Sequence, residues 1–387
     1  MDAFDTLGII ACAGEFPRLV IEGARRAGKR IVCIGCKGAV CRAEIEPLCD
    51  VYTEARAGEL IAPRRFLQEQ GVRHLMLTGQ VKPAVIYTLR PDADARRLLR
   101  GLSRRNAHTL FTALCDYVAA GGITVLPSTT FMEGAMPGEG HLAGPPPTAE
   151  QRETARFGLG MAQQIAQLDI GQSIVVQGRR VVCVEAYKGT NECIDAAAAK
   201  GRAGMCLCKV TKRGHDMRFD VPCIGPTTVE HCCRAGIRHI AIEAGRTILF
   251  GRERVLRLCA QHGITLHALP VPPPEHPLPD PGHPADDRAH AALLAQAVEE
   301  LGIGHAAIVC DGVALAVEDA DGLPKCIRRA GRYMRRLRLA RLASFLLRLL
   351  LGGGSDPLRP MVLVSSPQRP LSPADRRAAR RAGIRCP

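Results

Sequence analysis

The chain has 387 residues, 47% of them apolar and 23% charged, a globular composition that excludes wholesale disorder and a collagen-like fibre. Its 52 Lys and Arg against 38 Asp and Glu leave a formal charge of +14, and its length suits two or three domains with cores of their own. No run reaches the roughly 18 uninterrupted apolar residues of a membrane-spanning helix. Acids at Asp2 and Asp5 stand where a signal peptide needs basic residues, so a cytoplasmic location is expected.

Thr6–Ala11 reads as a buried strand that ends in the small residues Cys12-Ala13-Gly14, followed by a helix over Phe16–Ala27 and a strand over Ile31–Ile34. The alternation recurs at Phe66–Gly71, His74–Thr78, Thr109–Ala120 and Thr124–Leu126, which predicts a parallel sheet covered on both faces. The turn at Gly14 precedes a helix, whose free N–H groups suit an anion, but a tight turn without a ligand fits the same residues. GxGxxG is absent, so a dinucleotide oxidoreductase is disfavoured.

Met136–Pro147 is Gly- and Pro-rich and reads as a connector. Beyond it come a helix over Ala149–Leu168, a hairpin of Ser173–Val176 with Val181–Glu185, a helix over Asn191–Lys200 and a strand over Met205–Val210. A polar loop, Thr211–Asp220, leads into α/β alternation from Thr227 to Leu269, and eight prolines between Pro270 and Pro284 make a stiff extended linker. The fold class expected is α/β. A Rossmann-like parallel-sheet domain covers 1–147, a second α/β domain 148–269, a Pro-rich linker 270–290 and a further segment 291–387. The 17 cysteines are read as small apolar fillers; Cys33 and Cys36 form a CxxC with no second pair at zinc spacing, and no zinc is expected.

The last segment repeats the second domain. At an offset of 133 residues Leu168-Asp169-Ile170-Gly171 meets Leu301-Gly302-Ile303-Gly304, and Glu185, Gly189 and Cys193 meet Glu318, Gly322 and Cys326. Pro360–Pro387 likewise follows Arg246–Leu269. The second copy is degenerate: it lacks the polar loop and carries instead Gly322–Ser355, with nine basic residues and no acid. Leu and Phe at 337, 339, 342, 345, 346, 349 and 350 give that stretch an apolar face suited to an anionic bilayer, although packing on its own domain suits it too. Concentrating the surplus charge here, with five Tyr and no Trp in the chain, argues against nucleic-acid binding.

The densest polar cluster is Lys209-Val-Thr211-Lys212-Arg213-Gly214-His215-Asp216-Met-Arg218-Phe-Asp220. Two carboxylates with interleaved cations are what metal-assisted phosphoryl chemistry requires, the acids holding Mg²⁺ and the cations neutralising phosphate oxygens. A solvated turn with surface ion pairs is the alternative.

Asp169-Ile-Gly171-Gln172, Val184-Glu185-Ala186-Tyr-Lys188-Gly189-Thr190, Lys209…Lys212…Asp216-Met-Arg218-Phe-Asp220-Val-Pro222-Cys-Ile-Gly225-Pro-Thr227 and Ile242-Glu243-Ala244-Gly245 together resemble the I-type UDP-2,3-diacylglucosamine diphosphatases, the LpxI family. Gly8…Gly14…Pro17 and Thr78-Gly79-Gln-Val-Lys82-Pro83 resemble the other half of that family, so the match spans about residues 6–269. The resemblance implies a cytoplasmic Mg²⁺-dependent hydrolase (Mn²⁺ being the alternative ion) of lipid A biosynthesis, a homodimer that splits UDP-2,3-diacylglucosamine into UMP and 2,3-diacylglucosamine 1-phosphate. It implies Asp216, then Asp220, as metal ligands or water-aligning groups, with Lys209, Lys212 and Arg218 balancing diphosphate charge. Gly14, Gly79, Lys82, Gln172, Glu185, Gly189, Thr190 and Thr227 would bind substrate. His215, Lys188 and Asn191 depart from the family pattern, and the appended half-copy is foreign to it. A non-catalytic nucleotide-sugar-binding or assembly protein is the rival reading. The tail is read as an adaptor to the membrane surface or to a partner subunit.

Overall fold

The computed structural model describes residues 4–80, 91–102, 107–200, 203–214, 216–218, 221–274, 278, 284, 286–335 and 361–386. Their contacts form two units. One is built on the described residues of 4–134 with 216–218 and 221, the other on the described residues of 135–214, 222–335 and 361–386.

In the first unit β1 (Thr6–Ala11), β2 (Arg30–Cys36), β3 (Val51–Ala55), β4 (His74–Thr78) and β5 (Thr124–Val125) form one parallel sheet in the order β3-β2-β1-β4-β5. The central strand is almost wholly apolar, as a strand buried on both faces must be. The helix Ile61–Glu69 contributes Leu67, and Ala107–Ala119 contributes Cys115 and Val118, to a core with Val32, Leu75, Leu77 and Ile123. From β1 the chain runs outward through β2 and β3, then returns to the other side of β1 for β4. The point of reversal, between the carboxyl ends of β1 and β4, is where open α/β sheets hold ligands.

The second unit carries a six-stranded sheet of β6 (Gly140–Ala143), β7 (Ser173–Gln177), β8 (Arg180–Val184), β9 (Met205–Lys209), β11 (His239–Glu243) and β13 (Thr265–Leu269), in the order β6-β13-β11-β9-β7-β8. Two short strands, β10 (Cys223–Ile224) and β12 (Ile248–Leu249), pair in parallel apart from it. A four-stranded sheet follows, β15 (Val313–Val317), β14 (Ala306–Cys310), β16 (Met361–Ser365) and β17 (Ile384–Arg385) in that order.

The domain boundary expected at 147 falls instead near 134, because Met136–Pro147 is not a free connector. It supplies β6, which pairs antiparallel with β13, and the Thr265 hydroxyl donates to the Pro145 carbonyl at 2.8 Å. The Pro-rich linker also lies on the fold at Val271 and Leu278, both packed against apolar core, with the Leu278 N–H donating to Gln164 Oε1 at 3.2 Å.

The geometry of the first copy recurs in the second. The helix Ala149–Gln167 precedes the hairpin β7–β8, as Asp287–Glu300 precedes β14–β15. Each helix starts at a side-chain cap, Thr148 on the Gln151 N–H and Asp286 on the Ala289 N–H. A Cβ on Gly171 would stand 2.3 Å from the Glu185 carbonyl oxygen, and one on Gly304 would stand 2.5 Å from that of Glu318, so only glycine fits either approach. In the second copy β16 takes the place of β9: it pairs antiparallel with β14 and in parallel with β17, and it sets Ser365 opposite Ala306 as β9 sets Lys209 opposite Ser173.

The half-copy is not a separate domain. Ala291, Leu294, Val298, Ala307, Val309 and Val317 share one core with Ala155, Leu159, Ile165, Ile174, Val176 and Val184 of the first copy. A buried ion-pair network joins the two as well: Arg329 lies 3.3 Å from Asp319 and 3.4 Å from Asp321, and Lys200 of the first copy lies 3.5 Å from Asp321. In the basic segment, the helix over 323–335 turns Leu323, Cys326, Ile327, Ala330 and Met334 inward and leaves Arg328, Arg332 and Arg335 exposed. Its apolar face is thus occupied by its own unit. The leucines and phenylalanine from 337 to 350 lie outside the described residues.

A chain ended after Leu269 is therefore expected to lose stability. Removing half of a shared core uncovers Leu159, Ile165 and their neighbours, each worth about 1.5–3 kcal/mol when buried. Differential scanning of the truncated chain should show melting lower by roughly 10 °C, or recovery mainly as aggregate. Melting within a degree or two of the full chain would contradict the shared core.

Candidate active site

Four polar side chains converge inside the second unit. Lys209 ends β9, which is otherwise apolar, and the whole residue is only 5% exposed. It donates to the Ser173 hydroxyl at the start of β7 (3.0 Å) and to the Thr190 hydroxyl (2.8 Å). Thr190 opens the helix Thr190–Ala198 behind Gly189 and donates to Glu185 Oε1 at 3.1 Å. The other carboxylate oxygen, Glu185 Oε2, stands 3.8 Å from the Lys209 ammonium, within ion-pair range but too far for a hydrogen bond. It is buried without a hydrogen-bond partner among the described residues. A buried acceptor left in this state costs about 1–3 kcal/mol, which marks a place where a further donor belongs.

The half-copy shows that the fold does not need this cluster. At the same offset Ser173 becomes Ala306 and Thr190 becomes Leu323, and the residue that β16 sets opposite Ala306, where β9 sets Lys209 opposite Ser173, is Ser365. Only the acid persists, as Glu318, and there it is satisfied by the backbone N–H of His305 at 3.0 Å and the His305 ring at 2.8 Å. The hairpin geometry is the same in both copies. The polar set of the first copy is thus additional to what folding the hairpin requires.

Next to the cluster, Glu243 ends β11 and accepts the Thr211 N–H at 2.7 Å, with Arg246 Nε at 3.5 Å. Thr247 Oγ1 is buried and lacks a hydrogen-bond partner among the described residues. Gln172 is held through its carbonyl, which accepts from the Val210 N–H at 3.0 Å. Lys212 donates to both oxygens of Asp169 at 2.9 Å, an exposed pair, and Thr227 stands exposed in the first turn of Pro226–Arg234. Neither contributes to the hydrogen bonds around Lys209.

The polar loop itself divides. Lys209, Thr211 and Lys212 belong to the second unit, whereas Asp216, Met217 and Arg218 belong to the first. There the Ser128 N–H donates to the Met217 carbonyl and the Ser128 hydroxyl to the Arg218 carbonyl, both at 2.6 Å. Arg218 Nε lies 2.9 and 3.0 Å from the two oxygens of Asp216, and Nη2 lies 2.5 Å from Oδ2. The bond to Asp216 raises the already high Arg218 pKa further, so the guanidinium stays charged. The carboxylate expected to grip a metal ion therefore orients a guanidinium. Asp220 and His215 lie outside the described residues, and among the described residues no three His, Cys, Asp or Glu side chains are grouped to hold a metal ion. The described contacts of Asp216 thus go to Arg218, and no chemical step is routed through a divalent ion.

In the first unit Gly14 follows β1 and Gly79 follows β4, on the two sides of the switch point. The two turns are laced together: Ala13 N–H donates to the Gln80 carbonyl at 3.2 Å and Gln80 N–H to the Ala13 carbonyl at 2.8 Å. Gly79, at φ +86°, permits this, since a Cβ there would stand 2.7 Å from the Ala13 oxygen. Lys82 lies outside the described residues.

These features define a class: an α/β protein with a switch-point crevice in one unit and a buried lysine–carboxylate–hydroxyl site in the other. A family model of the LpxI C-terminal domain matches residues 138–267 and 280–344, and one of the LpxI N-terminal domain matches residues 6–135. The chain belongs to the LpxI family. It is 28% identical over 285 residues to the UDP-2,3-diacylglucosamine pyrophosphatase LpxI of Caulobacter vibrioides, a match covering 70% of this chain and 99% of that one. Among solved structures, the biotin carboxylase subunit of pyruvate carboxylase aligns at 12% identity over 51% of this chain and 40% of that one. Its TM-score of 0.19 carries no argument about fold or function.

Proposed function

We propose that the chain hydrolyses the diphosphate of UDP-2,3-diacylglucosamine, releasing UMP and 2,3-diacylglucosamine 1-phosphate by attack of water on the α-phosphorus. The observation that carries this reading is the Lys209–Ser173–Thr190–Glu185 cluster, which the half-copy folds without. A buried ammonium with two hydroxyls offers a diphosphate charge neutralisation and directed donors in a low-dielectric site, where such bonds are strongest. Glu185 Oε2, buried beside that ammonium, is the acceptor for the proton of a water or hydroxyl. Within the first unit, Gly14 and Gly79 border the switch-point crevice read as the place of a nucleotide phosphate, and Asp216 there holds Arg218 as a fixed cation.

The test is a product assay on the full chain in detergent-dispersed substrate made up in water enriched in oxygen-18. UMP should form and carry the label, while the sugar phosphate should not. Label on the sugar phosphate would place the attack at the other phosphorus. The saturated Asp216–Arg218 pairing favours the rival reading, a nucleotide-sugar-binding protein without turnover; it would prevail if UMP never forms while UDP-sugar still binds.

A further inference from the structure

Two thiols meet at the rim of the first unit's crevice, and neither the fold nor the proposed hydrolysis uses them. The parallel register of β1 with β2 pairs Ala11 with Gly35, so the next residues, Cys12 and Cys36, face each other across the sheet. Their sulfurs are 2.9 Å apart. Adjacent strands lie about 4.8 Å apart, within the span of about 4.4–6.8 Å between Cα atoms that a disulfide tolerates. Closing the S–S bond to about 2.05 Å therefore needs sulfur motion of under ~1 Å and no change of register. The two thiols differ in access, Cys12 being buried and Cys36 half-buried. They also differ in chemistry: the hydrogen bond from Cys12 holds Cys36 below the ordinary thiol range, while that bond and burial push Cys12 above it.

We propose that Cys12 and Cys36 form a reversible oxidation site that takes a low-molecular-weight disulfide such as oxidised glutathione, and that its closure weakens nucleotide binding in the crevice. The Cys36 thiolate attacks one sulfur of the incoming disulfide, forming a mixed disulfide and expelling one glutathione thiolate, which takes up a proton. Cys12 then gives up its proton and attacks the Cys36 sulfur, expelling the second glutathione. Two protein thiols are oxidised to one disulfide as one external disulfide is reduced to two thiols, a reaction that thiols reverse.

The consequence follows from the lacing already described. The Ala13 N–H, which would face a phosphate, donates to the Gln80 carbonyl, so the β1 turn must part from the β4 turn to admit one. In the reduced chain Cys12 is held by noncovalent contacts alone, its N–H bond to the Thr78 carbonyl and its thiol contact with Cys36, which can yield as the turn parts. A covalent tie to the end of β2 removes that freedom. The consequence for binding rests on the reading of the crevice as the nucleotide site; formation of the bond does not.

The experiment treats the full chain with oxidised glutathione, traps remaining thiols with iodoacetamide, and combines peptide mass spectrometry with calorimetric titration of UDP. The expected result is a linked Cys12–Cys36 peptide, 2 Da lighter than its reduced parts, and a dissociation constant for UDP raised about tenfold, both reversed by dithiothreitol. C36S should bind UDP normally and ignore the oxidant, and C12S should accumulate glutathione on Cys36 without closing the ring. Alkylation of both residues after oxidation, or a bond from either to Cys33 or Cys49 instead, would overturn the site. A linked peptide with unchanged UDP affinity, or no UDP binding by the reduced chain, would overturn its effect on the crevice. Failure of the hydrolase reading is separate, since it shows as binding and linkage intact without UMP release.

Discussion

Lys209→Met should lower UMP release by about a thousandfold, the upper range for removing one preorganised donor from a developing charge. The same change should also lower stability by about 3–5 kcal/mol, because it leaves the Glu185 carboxylate buried beside an apolar chain with no counter-charge. A loss of activity alone would thus be ambiguous. The pair Lys209→Met with Glu185→Gln separates the causes, since a neutral amide in place of the carboxylate removes the uncompensated charge. Stability should return toward that of the parent while turnover stays low. The half-copy is the precedent, a hairpin that folds with Ala306, Leu323 and no lysine. If the double variant recovers most of the turnover, or the single variant keeps more than about a tenth of it, Lys209 is scaffold.

The fold was legible from the sequence wherever period and punctuation agree. The alternation over residues 6–126 is that of a buried parallel sheet because each strand is apolar along its length and each helix is closed by small or polar residues. The repeat was legible because glycines forced by close backbone approach, Gly171 and Gly304, keep their spacing when most side chains have changed. The fate of Met136–Pro147 was not, since Gly and Pro mark an edge strand such as β6 as readily as a connector. In the site, Lys209, Glu185 and Thr190 were visible through the resemblance and the structure brings them together. Ser173 was missed because one hydroxyl at the head of an apolar strand gives no signal until its partner strand is placed. Glu243 carried a weak one, a carboxylate closing an otherwise buried strand. Asp216, Lys209 and Lys212 were grouped by their spacing in one polar loop and by the resemblance, and neither shows that the loop's contacts divide between the units from Gly214 to Asp216.

Acid should unfold the second unit through two imidazoles that no catalytic argument invokes. His239 on β11 and His267 on β13 are both buried, and their Nε2 atoms lie 2.9 Å apart, one donating and the other accepting. Burial, then the charge of His267, pulls His239 down to about 3. Burial, then His141, Arg152 and Arg156, pulls His267 down to about 4. An ordinary histidine titrates near 6.5, so the unfolded chain takes up protons first as pH falls. Stability is accordingly complete above about 6.5 and is lost below it, by about 2 kcal/mol for each imidazole at pH 5. Protonating both rings would also leave two donors facing each other, with no acceptor between them. Urea unfolding at pH 7, 6 and 5 should show the parent losing about 4 kcal/mol more than a chain carrying His239→Gln and His267→Gln, whose amides keep a donor and an acceptor but do not titrate. Parallel pH profiles for the two chains would mean that the rings charge freely in the folded state, and that the buried pair contributes nothing to acid sensitivity.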